Sequence, residues 1–128
     1  MPPSTRDVIE AHWRFANARD WGRFDALLHP DLHYEVPQTR EYVEGAAGYS
    51  EMFRTWPGDW RVTVRHLVCE EARAVCVIDF HVDGCCMTGI SFFALAGGLI
   101  TEVKDYWPES YEPPARATPV MKRRPAAQ

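Results

Sequence analysis

The stretch from residue 60 to residue 107, WRVTVRHLVCEEARAVCVIDFHVDGCCMTGISFFALAGGLITEVKDYW, decides the fold. Valine, isoleucine, phenylalanine and cysteine recur at alternate positions in it, which predicts four consecutive strands. The dipeptide Asp83-Gly84 is a strong signal for a two-residue hairpin turn between the second and third of these strands. Such a turn fixes their register and predicts three cross-strand pairs: Phe80 with Met87, Ile78 with Gly89, and Cys76 with Ser91.

Three helices and one short strand precede this meander. The first helix is capped by Ser4 or Thr5, the second opens at Asp20, and the third covers about residues 45–56. Residues 33–36 form a strand that Pro37 ends, and residues 38–44 form a loop. Helices segregated before a meander indicate an α+β fold. We predict a cone-shaped, curved antiparallel sheet with the three helices packed on its concave face, and a small-molecule pocket at the mouth of the cone.

Composition excludes several broad classes of protein. The 128 residues are 46% hydrophobic and 25% charged, with a net charge of −4. This balance is typical of a single globular domain and argues against a nucleic-acid-binding surface. No apolar run is long enough to span a membrane, and the N-terminus lacks the apolar core of a signal peptide. We predict a cytoplasmic protein with one domain over residues 1–112 and a flexible, proline-rich basic tail over residues 113–128.

The cysteines and histidines form no recognisable metal motif. The chain has four cysteines and five histidines, without a CxxC, HxH or HExxH spacing. We expect the cysteines to be small buried apolar residues in a reducing compartment. The sequence therefore predicts no metal site, and without a phosphate loop or dinucleotide fingerprint it predicts no cofactor.

Two phrases, FANARDWGRFDALLHPDLHYEVP and GGLITEVKDYWPE, together with the order of elements, carry a family resemblance. The chain resembles the nuclear transport factor 2-like superfamily over about residues 5–112, and within it the SnoaL-like polyketide cyclase branch. The resemblance implies a cystatin-like α+β fold that encloses a pocket. This fold hosts isomerases, hydrolases, cyclases and plain binding modules, so the fold does not by itself imply one activity.

Ketosteroid isomerases of this fold place a carboxylate base just before a proline at the end of the first strand. That proline is matched by Pro37, and the position before it is Val36. Their two oxyanion donors correspond to His12 and Ser91. Because the base is absent, the resemblance does not extend to steroid isomerisation by that mechanism.

Asp105 is the strongest candidate for chemistry. It lies in the phrase Val103-Lys104-Asp105-Tyr106-Trp107, which is similar to the last-strand phrase of limonene-epoxide-hydrolase-like relatives, whose aspartate activates water. The arginine that those hydrolases carry on an earlier strand is missing near Asp79. Alternation along the strand puts Val103, Asp105 and Trp107 on one face, which the resemblance makes the pocket side. Burial there raises the pKa of a carboxyl group toward the range of a general acid or base. The alternative is an Asp105 that pairs with an arginine or caps a backbone amide.

His12, on the apolar face of the first helix, and Tyr34, on the first strand, are the predicted partners of Asp105 in catalysis. We expect Asp79 and His81 to face the outer side of the sheet, whereas a β-bulge would turn them toward the pocket. The predicted ligand-binding residues are Val36, Met52, Phe53, Trp60, Phe80, Met87, Ser91, Phe93, Val103 and Trp107.

Three functions stay open at this point. The first is an enzyme that isomerises, cyclises or hydrates a small apolar or oxygenated molecule. The second is a ligand-binding module without chemistry, and the third is a protein-interaction module that uses the outer sheet face and the tail. Both strand faces are apolar, which together with the resemblance predicts a homodimer through the outer face.

Overall fold

The computed structural model describes residues 2–125, so residue 1 and the end of the predicted tail, residues 126–128, lie outside it. The chain forms three helices and six strands. All three helices lie in the first half of the chain, and the last four elements are strands. In chain order the elements are α1 (Thr5–Ala18), α2 (Trp21–Asp25), β1 (Leu28–Val36), β2 (Glu41–Glu44), α3 (Ala46–Thr55), β3 (Arg61–Glu70), β4 (Arg73–Val82), β5 (Cys85–Ala96) and β6 (Leu99–Tyr106).

The six strands form one curved, open sheet in the order β2-β1-β6-β5-β4-β3. Helices α1 and α3 pack on it, α1 mainly against β3 and α3 mainly against β1. This is the predicted α+β architecture. One detail differs, because β1 pairs with β6 in parallel while all other neighbours are antiparallel. The parallel pair arises because the chain leaves β1–β2 through α3, starts again at the far edge with β3, and meanders back to β1.

The hairpin register agrees with the sequence prediction. Strand β4 pairs with β5 through Phe80 opposite Met87, Ile78 opposite Gly89 and Cys76 opposite Ser91. Asp83 and Gly84 both have positive φ, 50° and 81°, as a type I′ turn requires. This turn fixes which side chains of the two strands face the helices.

Two boundaries near the N-terminal half were predicted wrongly. Strand β1 begins at Leu28 and passes through Pro30, because its pairing with β6 is interrupted between Leu28 and His33, and a proline is tolerated where no ladder bond is needed. The predicted loop at residues 38–44 contains the short edge strand β2. Its four residues are largely exposed, so apolar alternation, the usual strand signal, is absent there.

The cap of α1 explains how its buried face is oriented. Ser4 accepts a hydrogen bond from the backbone N–H of Asp7, whose carboxylate accepts one from the N–H of Ser4, forming a capping box. From this start, Val8, Ile9 and His12 fall on the face that packs against the sheet, and His12 is fully buried.

The expectation that all four cysteines are buried is wrong. Cys76 is buried and Cys69 half-buried, but Cys85 and Cys86 are exposed. Cys85 is the first residue of β5, directly after the hairpin turn, and Cys86 lies on the outer face of the sheet, opposite the helices. Apolar composition alone therefore overstated their burial.

No helix in residues 2–125 has the length and apolar character needed to cross a bilayer. From residue 107 to residue 125 the chain has neither helix nor strand.

Candidate functional site

Three strands place a buried carboxyl group between two hydroxyl groups. Asp105 on β6 lies directly opposite Ser91 on β5, and Tyr34 on β1 approaches from the other side through the parallel pair. Ser91 Oγ donates to Asp105 Oδ1 at 2.6 Å, and Tyr34 Oη donates to Asp105 Oδ2 at 2.7 Å. The alternation predicted for β6 holds, since Lys104 points to the other face, where it pairs with Glu35 at 3.4 Å.

Burial controls the protonation of this site. Only 6% of Asp105 is exposed, and desolvation raises the pKa of its carboxyl group, while the hydrogen bonds from Ser91 and Tyr34 partly oppose that rise. The pKa of Tyr34 is also raised, first by burial and then by the charge of Asp105. No salt bridge among residues 2–125 includes Asp105. The pairing with arginine that the sequence left open is therefore absent from this part of the chain.

Asp105 and Tyr34 line a cavity between the sheet and the helices. Its atom-free space is about 400 Å³ when the open mouth is included, and its interior is narrow. Trp56, which follows the end of α3, is 46% exposed at this cavity. The other lining residues are apolar: Trp13, Met52, Phe53, Trp60, Ile78, Phe80 and Trp107.

The structure brings half of the predicted ligand-binding residues to this cavity. Those that line it are Met52, Phe53, Trp60, Phe80 and Trp107. Those that are buried but do not line it are Val36, Ser91, Phe93 and Val103. Met87 shares the face of Phe80 but is 45% exposed and does not line the cavity.

His12 does not contact the cavity. Its Nε2 lies 2.7 Å from the Tyr49 hydroxyl, and its ring packs edge-on against Trp13, Phe53 and Phe93. Burial lowers the pKa of His12 to about 3, so its imidazole is neutral near pH 7. Within residues 2–125, His12 Nδ1 has no hydrogen-bond partner.

Tyr49 and Trp13 are site residues that the sequence analysis missed. Tyr49 on α3 connects His12 to the site, since its ring lies 5.4 Å from that of Tyr34, centroid to centroid. Burial and then the charge of Asp105 raise the pKa of Tyr49. Both residues occur at helical spacing among apolar side chains, a pattern typical of core positions. What distinguishes them from ordinary core residues is the packing of α1 against α3, which no local sequence pattern encodes.

A small residue allows one wall of the cavity to form. A Cβ atom added to Gly89 would lie 2.8 Å from the Trp107 ring and 3.0 Å from Ile78. Trp107 therefore packs directly on the β5 backbone, and its ring meets that of Phe80 edge-on at 5.7 Å.

A scan of protein families finds the SnoaL-like domain over residues 9–103, which is most of the chain. The protein belongs to the SnoaL-like family. A search of curated proteins finds no match for it. The resemblance to the nuclear transport factor 2-like superfamily is thus confirmed at the level of family and fold.

Solved structures add one relative with clear sequence similarity to this SnoaL-like protein. It is a Kribbella flavida protein provisionally described as a ketosteroid isomerase, 35% identical, with a TM-score of 0.87 over 95% of this chain and 90% of that one. A Mycobacterium tuberculosis epoxide hydrolase of the limonene type is 19% identical, with a TM-score of 0.66 over 79% and 80% of the two chains.

A protein of unknown function from Methylobium petroleophilum, described as having a cystatin-like fold, is 18% identical. Its TM-score is 0.74 over 91% of this chain and 84% of that one. Because both identities are below 20%, the similarity to the Methylobium petroleophilum protein and to the hydrolase establishes the cystatin-like fold of the SnoaL-like chain and nothing more specific.

Proposed function

We propose that this protein is an enzyme that isomerises, cyclises or hydrates a small, largely apolar molecule bearing oxygen, without an organic cofactor. Asp105 is its general acid and base. The observation that carries this proposal is a carboxyl group with a raised pKa, buried at the wall of an aromatic cavity, whose hydrogen-bond partners within residues 2–125 are neutral hydroxyls. A carboxyl group in such surroundings changes protonation closer to neutral pH than an ordinary aspartate, as proton transfer requires.

The three polar groups have different positions relative to the cavity, which supports distinct roles. Asp105 and Tyr34 both line it, whereas Ser91 does not line it and donates to Asp105 Oδ1. In the proposed reaction a substrate oxygen accepts a hydrogen bond from Tyr34 or from protonated Asp105. Asp105 then transfers its proton to the substrate and recovers one from the substrate or from water. Ser91 keeps the carboxyl group oriented throughout.

His12 is a positioning residue in this proposal. It is neutral and separated from the cavity, but its hydrogen bond to the Tyr49 hydroxyl anchors Tyr49, whose ring lies beside that of Tyr34. The aromatic residues that line the cavity bind the apolar body of the substrate, and Val36, Phe93 and Val103 support them from behind. This assignment covers the domain of residues 1–112 and leaves the predicted tail outside the site. A cytoplasmic location stays a prediction.

The protonation of Asp105 in solution tests the proposal. We expect its carboxyl ¹³C resonance to titrate with a midpoint well above the value of about 3.9 that is usual for aspartate. The Asp105→Asn variant assigns the resonance by its disappearance, and the exposed carboxylates of the same spectrum provide an internal reference.

A midpoint at or below about 4 contradicts the enzyme proposal, since such a group stays ionised at all working pH values. It would favour the second candidate, a ligand-binding module without chemistry. The observation in favour of that candidate is that both oxygens of Asp105 already accept a hydrogen bond.

We also propose that the protein forms a homodimer through an outer apolar patch, defined as Val68, Val75, Val77, Ile90 and Phe92. These side chains lie on adjacent strands, opposite the face that packs on the helices. Val68 is 66% exposed and Phe92 is 44% exposed. Contiguous exposed apolar residues on a sheet face are typical of an interface between protein chains.

Sedimentation equilibrium, which measures the mass of the protein in solution, tests the proposed homodimer. We expect twice the chain mass for the wild type and one chain mass for Phe92→Glu, because a carboxylate in an apolar interface is left without a partner. The matched control is Tyr42→Glu, a change at a 65% exposed aromatic residue on the edge strand β2, which keeps the dimer mass. A monomeric wild type, or three equal masses, would contradict the dimer.

A further inference from the structure

The outer face of the sheet carries a cluster of three metal-ligating side chains next to the β4–β5 turn. One potential ligand atom from each of Asp79, His81 and Cys86 lies within 4.8 Å of the other two. The cluster is on the side of the sheet opposite the cavity, because Ile78 and Phe80, which alternate with its members, line that cavity. It is therefore separate from the site around Asp105.

The hairpin backbone holds these three side chains together. His81 and Cys86 are direct neighbours across the β4–β5 pair, and Asp79 precedes His81 by two residues on the same side of β4. Cys85, by contrast, points to the opposite side, since successive strand residues alternate. The type I′ turn at Asp83-Gly84 fixes this register, so the triangle is set by the most regular part of the sheet.

From this placement we propose that Asp79, His81 and Cys86 bind one Zn²⁺ ion, with water as the fourth ligand. Zinc takes nitrogen, thiolate and carboxylate ligands together, whereas magnesium and calcium prefer oxygen alone. The carboxylate and the thiolate balance the charge of the ion, and the thiol proton is released to solvent on binding.

Small rotations complete the coordination geometry. Zinc–ligand bonds of about 2.0–2.3 Å place tetrahedral ligand atoms about 3.5 Å apart. His81 and Cys86 are exposed, and the Asp79 side chain is 20% exposed, so the side chains are free to close the remaining distance. The rigid hairpin supplies the rest of the preorganisation.

Arg65 on β3 orients one of the ligands. Its Nη1 donates to Asp79 Oδ2 at 3.0 Å, which leaves Oδ1 for the metal. A hydrogen bond to the outer oxygen of a ligating carboxylate is a common feature of metal sites, where it fixes the orientation of the ligand. The three ligands come from two strands and form no local motif, so a metal site was not predictable from their spacing in the sequence.

Metal binding to the untagged full-length protein tests this proposal. We expect isothermal titration with ZnCl₂ to give one ion per chain for the wild type. Cys86→Ser and His81→Gln each weaken the affinity by at least about tenfold, the loss typical of removing even an outer partner of a metal site. Cys85→Ser is the matched control, an equally exposed neighbouring thiol on the other face, and it binds zinc as the wild type does.

Cobalt provides a second readout that depends on the thiolate itself. Co²⁺ bound at this site gives a thiolate-to-metal absorption band in the near ultraviolet, which Cys85→Ser keeps and Cys86→Ser loses. The far-ultraviolet circular dichroism of each metal-free variant verifies that the sheet is intact. Absence of zinc binding by the wild type, or an equal loss of affinity in both cysteine variants, overturns the proposal.

Discussion

We expect the replacement of Asp105 with asparagine to lower kcat/KM by about 10²–10⁴-fold in the proposed reaction, the usual contribution of a general acid or base. Asparagine has nearly the same shape as aspartate, and its amide still forms hydrogen bonds with Ser91 and Tyr34. What it loses is the ability to give up or take up a proton. The measurement is initial-rate kinetics on oxygenated apolar molecules, such as enolisable ketones and epoxides, that the wild type converts.

The fold of the Asp105→Asn variant is expected to survive. Because burial raises the pKa of Asp105, the charged carboxylate destabilises the folded state as pH rises above the unfolded value, and asparagine removes that penalty. The melting temperature at pH 8 therefore equals or exceeds that of the wild type. The matched control is Glu102→Gln on the outward side of the same strand, which keeps kcat/KM within about twofold. A large drop in melting temperature for Asp105→Asn would instead mark Asp105 as a structural residue.

The sequence predicts the part of the site that depends on strand alternation. The Asp83-Gly84 turn places Ser91 and Phe80 on the inner face, and period two along β6 places Asp105 there as well. Both inferences use local geometry, namely a turn type and the pleat of a strand. The family resemblance supplied the further step, that this shared face is the pocket side.

The parts that were missed depend on contacts between distant elements. Tyr34 was predicted as a partner of Asp105, but the parallel pairing of β1 with β6 that brings them together was not. The packing of α3 against α1, which brings Tyr49 to His12, was not predicted either. A tyrosine at helical spacing among apolar residues is typical of a core position, and nothing local marks it as part of a site. The sequence also identified His12 as a buried residue on an apolar face, but not that its partner is a hydroxyl away from the cavity.

The second large effect concerns stability in acid and rests on His12. Its pKa is lowered from about 6.5 in the unfolded chain to about 3 in the folded protein. Between these values the unfolded state binds more protons than the folded state, so the free energy of unfolding falls as pH falls. The stabilisation by neutral His12 is thus complete above about pH 6.5 and is lost progressively below it.

We expect the free energy of unfolding of the wild type to fall by about 3 kcal/mol more than that of His12→Gln between about pH 7 and pH 4. The comparison is between the slopes of the free energy of unfolding against pH for the two proteins. The contribution of Asp105 to this slope has the opposite sign, but it is present in both proteins and therefore cancels. Urea unfolding at a series of pH values measures these slopes, and His66→Gln, at an exposed position, retains the slope of the wild type. Parallel curves for the wild type and His12→Gln would mean that folding does not lower the pKa of His12. His12 would then become protonated inside the folded protein as the pH falls below about 6.5, which contradicts the effect of burial described for it.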